Sequence, residues 1–593
     1  MNTTSFLQKN LEALVRKNSP IAHWLSRQPV DVAAVEQNVF QNRWNIRDWR
    51  MPGGKGLFEA MPPNLYYNGW GIDESNAGTS ATFIVGCNLG YGLNHVLVNT
   101  PNSHKVVVLE PDYNLLVACL SQTDYTPFLE LGKLFFLPPE KEMLVFAVQQ
   151  ADVQFLFGRI YLRVDTPSQQ LGPEYARWTH TARELLENFS VELATLRLRQ
   201  DTMVGNELNN FRKAMADGSI SGLADAAAGV TAVILGAGPS LASLGPGLAR
   251  LGGNVLYTTA LQTLPAVHAA GITPHLAMAI DYSAGMKAVF ERLDPSWAKH
   301  IPLLYSTKLD PEVLARYPGP AIPVWTQGGL GTFIMKEHEY VLDAGGNVSV
   351  ALYRLLRWFG VQRVLLVGQD FAWKGTQSHV AGHHAAGYVH TNTMELQNRA
   401  GETILSTLSY VTALRDIEKS IAETGLPTYN LYGGGAIIDG ARELTLDELA
   451  GSGLTDSESG SRERFLASLK RAHASRPMPR FDARAQSWTV SLRNVTKRLE
   501  KHFKKLGARQ EEIWATFKEV HQFLRHDPLY LPYLYNEVMD VAGLMYAGRK
   551  FELKDMIAFK AVVKRILAKV REIDEALAPA QEDLAAAPSR QAA

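Results

Sequence analysis

Four histidines, His379, His383, His384 and His390, fall within twelve residues of one another. An imidazole titrates at about 6.5, near neutral pH, so such a loop can supply a general base. It can also ligate a metal, and His379 and His383 have the four-residue spacing of ligands on one helix face. No Glu follows His379, however, and Gly382 interrupts the stretch, so the helical zinc signature is absent and no metal is expected. Proton transfer is the chemistry this loop offers.

A second kind of chemistry is suggested by glycine-rich helix starts. Gly236-Ala237-Gly238-Pro239-Ser240-Leu241 follows an apolar strand, Thr231 to Leu235, and leads into a helical pattern. Such a loop can offer backbone N–H groups and the Ser240 hydroxyl to an anion at a helix N-terminus. It is not a dinucleotide fingerprint: its sixth position is Leu241, and the next strand ends in Tyr257-Thr258-Thr259, so the first acid is Asp281. A P-loop is excluded because no Gly-Lys-Ser/Thr follows. Gly345-Gly346-Asn347-Val348-Ser349 opens an amphipathic helix, after which the strand Arg363 to Val367 runs into Gly368-Gln369-Asp370-Phe371. Strand tips of an open α/β sheet line its ligand crevice. Two phosphate-favouring helix starts and Asp370 should therefore face one site, just before the histidine loop.

A third loop, Gly86-Cys87-Asn88-Leu89-Gly90-Tyr91-Gly92, lies earlier, and the following strand ends at Glu110, 18 residues after Gly92. This spacing suits a nucleotide cofactor or adenosylmethionine, with the acid on ribose hydroxyls. It equally suits any tight strand-to-helix turn, which favours glycine for its own reasons. Both readings stand at this level.

These loops need α/β scaffolds. Short apolar strands alternate with helical patterns from about Ala81 to Phe155, which implies an N-terminal Rossmann-like domain, residues 1–215, closed by a bridging helix carrying Leu186, Phe189, Leu193 and Leu196 on one face. Alternation restarts at Thr231, with strands at Asn254 to Thr258, His275 to Ile280 and Ile301 to Tyr305. This implies a central α/β domain, residues 216–450, with a mostly parallel sheet. Gly451 to Ser461 has the composition of an exposed linker. Helical spacing in Leu492, Val495, Leu499 and Phe503, and again in Phe559, Val562, Ile566 and Val570, implies a C-terminal helical bundle over 451–593, ending in a disordered tail from Ala578.

Composition narrows the classes. The 593 residues carry 59 basic and 59 acidic side chains, so overall charge gives no case for nucleic-acid binding. Two cysteines make neither a disulfide framework nor a cysteine-rich metal site. The N-terminus lacks a signal-peptide pattern and no stretch has the apolar length of a membrane span, so a cytoplasmic protein without integral membrane contact is expected.

In combination and order, several motifs resemble the motility-associated factor (Maf) family of flagellin glycosyltransferases. They are GAGPSL at Gly236 to Leu241, AID at Ala279 to Asp281, GGNVSVA at Gly345 to Ala351, VGQDFAW at Val367 to Trp373, SHVAG at Ser378 to Gly382, and the run from Tyr429 to Gly440 that contains GGA and IIDG. The resemblance spans about Val230 to Glu448, with Trp373 a departure from the smaller or tyrosine-like residue expected. It implies a sialyltransferase-like central domain that moves a nonulosonic acid, of pseudaminic or legionaminic type, from its CMP donor to Ser or Thr of flagellin. Inverting, metal-independent transfer is implied, with the CMP-sugar as donor substrate and no tightly bound cofactor. Gly236, Gly238, Pro239, Ser240, Gly346, Asn347, Ser349, Gln369, Asn430 and Gly434 are then expected to hold the donor, with Asp281 on its ribose. His379 is the expected base and His383 its substitute, while Asp370 orients the loop or a sugar hydroxyl.

Two other functions remain open. An archaeal relative of the central domain is implied to be a pterin pyrophosphokinase using ATP, and a non-enzymatic flagellar assembly factor would bind partners only. From Ser461 to Gln510 there are 14 Lys and Arg against three acids. Such a segment can dock flagellin or its export chaperone, or be a solvated helix face.

Overall fold

The computed structural model describes residues 3–585 apart from 376, 384, 386–392, 473–481, 506, 508, 528 and 546–549. His384 and His390 thus lie outside the described residues. Contacts divide the chain into two compact units rather than the three segments expected. One comprises Met1–Leu198, Asn494–Phe523 and Asn536–Val562; the other comprises Arg199–Arg493, Leu524–Tyr535 and Val563–Ala593. The first division falls inside a single 45-residue helix, Pro173–Asp217, because an unbroken helix shows no boundary where composition shifts.

In the first unit β1 (Val39–Gln41) and β2 (Arg47–Trp49) form an antiparallel pair. A parallel sheet follows, built from β3 (Ala81–Val85), β4 (Lys105–Leu109), β5 (Leu134–Leu137) and β6 (Ile160–Val164) in the order β5-β4-β3-β6. All five residues of β3 are buried, as expected of a strand covered on both faces. Among the helical residues of this unit Phe517 packs against Phe551 and Phe559, each with ring centroids 5.3 Å away.

The second unit holds a nine-stranded sheet. Its strands are β7 (Thr231–Leu235), β8 (Leu256–Ala260), β9 (Leu276–Ala279), β10 (Leu303–Ser306), β11 (Ala321–Thr326), β12 (Val341–Leu342) and β13 (Arg363–Val367), joined after the hairpin β14 (Met394–Gln397) and β15 (Thr403–Ser406) by β16 (Thr428–Leu431) and β17 (Arg442–Leu444). The order is β12-β11-β10-β9-β8-β7-β13-β16-β17, and every pairing is parallel. The helix Val348–Trp358 buries Val350, Ala351, Leu352, Leu355 and Leu356 in the same core as Ile234, Met278 and Leu366.

Two expectations fail at the C-terminal side. Residues 451–461 are not a free linker: Glu458 N–H donates to the Gly229 carbonyl at 2.8 Å and Thr231 N–H to Ser457 Oγ at 2.9 Å. Phe465 and Leu469, on the helix Ser461–Arg471, then enter the core under β7, so no boundary follows Ala450. The composition of the segment marked exposure, but its backbone and hydroxyl groups pair with the start of the sheet. The helix Leu553–Ala585 also runs through 578–585, where a disordered tail was expected; alanine there favours helix. Residues 586–593 lie outside the described residues. No helix among the described residues is long and apolar enough to cross a membrane.

Candidate active site

Strand order locates the site. From β7 the chain moves outward through β8 to β12 and then returns to the opposite side of β7 as β13. The connections leaving β7 and β13 therefore part in opposite directions, and an open crevice forms at their carboxyl ends. A cleft of about 290 Å³ lies there. Its lining includes Gly236, Ala237 and Gly238 from the β7 loop, Gln262 and Thr263 after β8, and Asp281 after β9. Asn347 and Ser349 at a helix start, Gln369 and Asp370 at the β13 tip, and Ser378, His379, His383 and Tyr410 complete it.

The floor is made by two loops that touch backbone to backbone. Gly236 N–H donates to the Val367 carbonyl at 2.8 Å and Gly238 N–H to Gly368 O at 2.9 Å. A Cβ on Gly238 would sit 2.6 Å from Gly368 O and 2.5 Å from Asp370 Oδ2, so loop-to-loop contact by itself requires glycine there. Ser240 completes the clamp, its N–H and hydroxyl donating to Asp370 Oδ2 and Oδ1 at 2.7 and 2.6 Å. The amides of Gly236, Gly238 and Ser240, expected to face an anion, are thus spent on the β13 tip. Burial raises the Asp370 pKa above the usual carboxylate range, opposed by these two bonds.

Five expected residues do not line the cleft. Pro239 and Ser240 are buried behind it, and Gly346 is exposed. Asn430 is 4% exposed within β16, between β13 and β17. Gly434 is exposed with φ +98°, and two residues on, Ala436 N–H donates to the Asp370 carbonyl at 2.8 Å. This glycine run braces the Asp370 turn: a Cβ on Gly435 would meet Asp370 O at 2.5 Å. Phe371, which follows, holds a left-handed φ of 46°, a strained value for a non-glycine residue at a site wall.

Asn347 and Ser349 do reach the cleft. The Asn347 side chain caps the helix Val348–Trp358 by accepting from Ser349 N–H at 2.8 Å, leaving the positive end of the helix dipole facing the cavity. Asp281 accepts from Ser283 N–H at 2.9 Å. His379 is half-buried, with Nδ1 3.1 Å from Ser378 Oγ and Nε2 3.3 Å from the Tyr410 hydroxyl. His383 stacks on it, ring centroids 4.2 Å apart at 7°. Burial raises the Tyr410 pKa, keeping its phenol protonated, although a bond to Ser378 opposes this.

Motif reading missed Gln262, Thr263 and Tyr410, which come from the turn after β8 and from the helix Leu408–Thr424. Gln262 and Gln369 share a property: Gln262 Oε1 and Gln369 Nε2 are buried side-chain atoms without a hydrogen-bond partner. An orphaned buried acceptor and an orphaned buried donor in one cleft point to a ligand that satisfies both. Among the described residues no group of three His, Cys, Asp or Glu is arranged to hold a metal.

The glycine loop of the first unit is arranged differently. Glu110, expected on a ribose, is fully buried and accepts from Cys87 N–H at 2.7 Å, Asp112 N–H at 3.1 Å and the Tyr175 hydroxyl at 2.5 Å. Asn88 donates to Asp165 Oδ1 and Oδ2 at 2.9 Å, and Tyr67 OH to Oδ1 at 2.5 Å. Burial pushes the Glu110 pKa up to about 7.

Comparisons with known proteins agree with this architecture. The family model described as 6-hydroxymethylpterin diphosphokinase MptE-like matches residues 205–376, which carry the β7 loop, the helix start and the β13 tip. A sequence search among curated proteins finds no match. Among solved structures, that of the MAf glycosyltransferase from Magnetospirillum magneticum AMB-1 is similar at 16% identity, covering 98% of this chain and 97% of that chain with a TM-score of 0.63. The resemblance read from the central motifs extends to the whole fold: from end to end, this chain is folded like a Maf glycosyltransferase.

Proposed function

We propose that the chain is a glycosyltransferase that moves a nonulosonic acid from a CMP donor to a Ser or Thr hydroxyl of flagellin. The observation that carries this reading is the convergence, in one cleft of a Maf-like fold, of a dipole-bearing helix start with a hydrogen-bonded imidazole. As the sugar leaves CMP, charge gathers on the phosphate. The Asn347 to Ser349 helix start stabilises it there, and preorganised donors act most strongly where charge develops. Gly236 and Gly238 shape the floor, and Ser240 acts through Asp370. Asp281 binds the ribose.

The acceptor oxygen forms its bond to the anomeric carbon as the carbon–oxygen bond to phosphate breaks. The hydroxyl proton passes to His379, CMP departs, and configuration inverts. Flagellin, with or without its export chaperone, is the macromolecular partner, and the cytoplasm is the compartment where both substrates meet. The test is the intact mass of unmodified flagellin incubated with the protein and a CMP-nonulosonate. The expected outcome is gain of whole sugar residues, lost in His379→Ala.

The match at 205–376 favours a second reading, pyrophosphoryl transfer from ATP to a pterin. That reading is adopted if flagellin gains no mass while Mg-ATP is consumed in the presence of 6-hydroxymethylpterin.

A further inference from the structure

Two adjacent histidines in one cleft invite the idea that either can serve as base. Their surroundings differ. His383 is 6% exposed, and its Nδ1 accepts from Ala385 N–H at 3.2 Å. The loop's own backbone thereby occupies the lone pair of that ring nitrogen. Its backbone is also held, since His383 N–H donates to the Val380 carbonyl at 3.1 Å and Arg292 donates to the His383 carbonyl at 3.1 Å. The Val380 N–H donates in turn to Ala237 O at 2.8 Å, tying the loop to the cleft floor.

His379 is the more exposed ring, and it is bounded on three sides. Ser378 Oγ meets Nδ1, the Tyr410 hydroxyl meets Nε2, and the His383 ring covers one face at 4.2 Å and 7°. An imidazole on a loop has two free torsions, and the stacked face restrains the ring plane in addition to the two edge contacts at Nδ1 and Nε2. Tyr410 also approaches His379 edge-on, with ring centroids 6.0 Å apart at 81°.

We propose that His383 is a positioning residue for His379, acting through the stacked faces of the two rings, and is not a second base. This rests on the glycosyltransferase reading, in which His379 receives the acceptor proton. A base displaced by about 1 Å can lose roughly 100-fold in rate. Removal of the stacking face should therefore lower kcat while the donor KM changes little. A flat apolar ring should restore what is lost, because the face and not the nitrogen is used.

The experiment compares His383→Ala with His383→Phe in sugar transfer to flagellin, each checked for folding by thermal melting. The expected result is a loss of about 10- to 100-fold in kcat for His383→Ala and recovery of most of it in His383→Phe. Equal inactivity of two folded variants makes His383 a proton carrier and overturns the proposal. Full activity of His383→Ala overturns it too. If the wild-type protein transfers no sugar, the glycosyltransferase reading fails, and the stack is judged separately by the ring 15N shifts of labelled His379. These shifts should report a changed tautomer balance in His383→Ala and the wild-type balance in His383→Phe; no change in either variant removes the positioning role.

Discussion

The carboxylate of Asp370 takes both hydrogen-bond donors of Ser240, the amide at 2.7 Å and the hydroxyl at 2.6 Å. This pair joins the loop after β7 to the tip of β13, the two strands between which the cleft opens. A hydroxyl that looks from its motif like a phosphate ligand clasps the two loops together in this structure.

Ser240→Ala should therefore act on stability first. It strips one donor from a buried carboxylate, which typically costs about 1–3 kcal/mol. Chemical denaturation should show that loss, while CMP affinity at a temperature where the variant is folded should fall by less than about tenfold, roughly 1.4 kcal/mol. A stability equal to wild type together with abolished CMP binding would restore Ser240 as a direct ligand.

The orphaned amides lead to an opposite pairing of effects. Gln369→Leu removes a buried donor, and Gln262→Leu a buried acceptor, that lacks a partner, so in each case the ligand-free protein should gain stability, up to about 1–3 kcal/mol. Both variants should bind the CMP-sugar more weakly than wild type. Melting curves with and without the CMP-sugar check this directly; a loss of stability without ligand counts against the assignment.

Glu110 makes the stability of the first unit depend on pH. Burial raises its pKa in the folded protein to about 7, from an ordinary value of 4.5. A raised carboxyl pKa means that the folded state holds the proton more tightly. Its stabilising contribution is therefore complete below about 4.5 and is lost as pH rises through about 7, an effect of order 3 kcal/mol. Denaturation of wild type and Glu110→Gln between pH 4.5 and 8 should show the difference between them shifting against the wild type as pH rises. Parallel curves would show that Glu110 does not titrate in this range.

Sequence alone determined that the central region is a parallel α/β layer with its chemistry after the strands, because apolar strand runs and glycine-rich turns are local patterns. It also pointed to Asn347, Asp370 and His379, which line the cleft, since strand tips and helix starts border the crevice of an open sheet. Tertiary structure decided which groups face the cavity. Gly236 and Gly238 look like an anion loop, yet their amides bond Val367 and Gly368, far away along the chain at the β13 tip. Tyr410 and Gln262 carry no motif and reach the cleft only because their elements pack beside it. The stack of His383 on His379, the burial of Glu110 and the entry of Phe465 into the central core are likewise long-range or conformational facts. A hydrogen bond or ring contact depends on positions in space, and residue spacing constrains those positions only within a single turn, strand or helix.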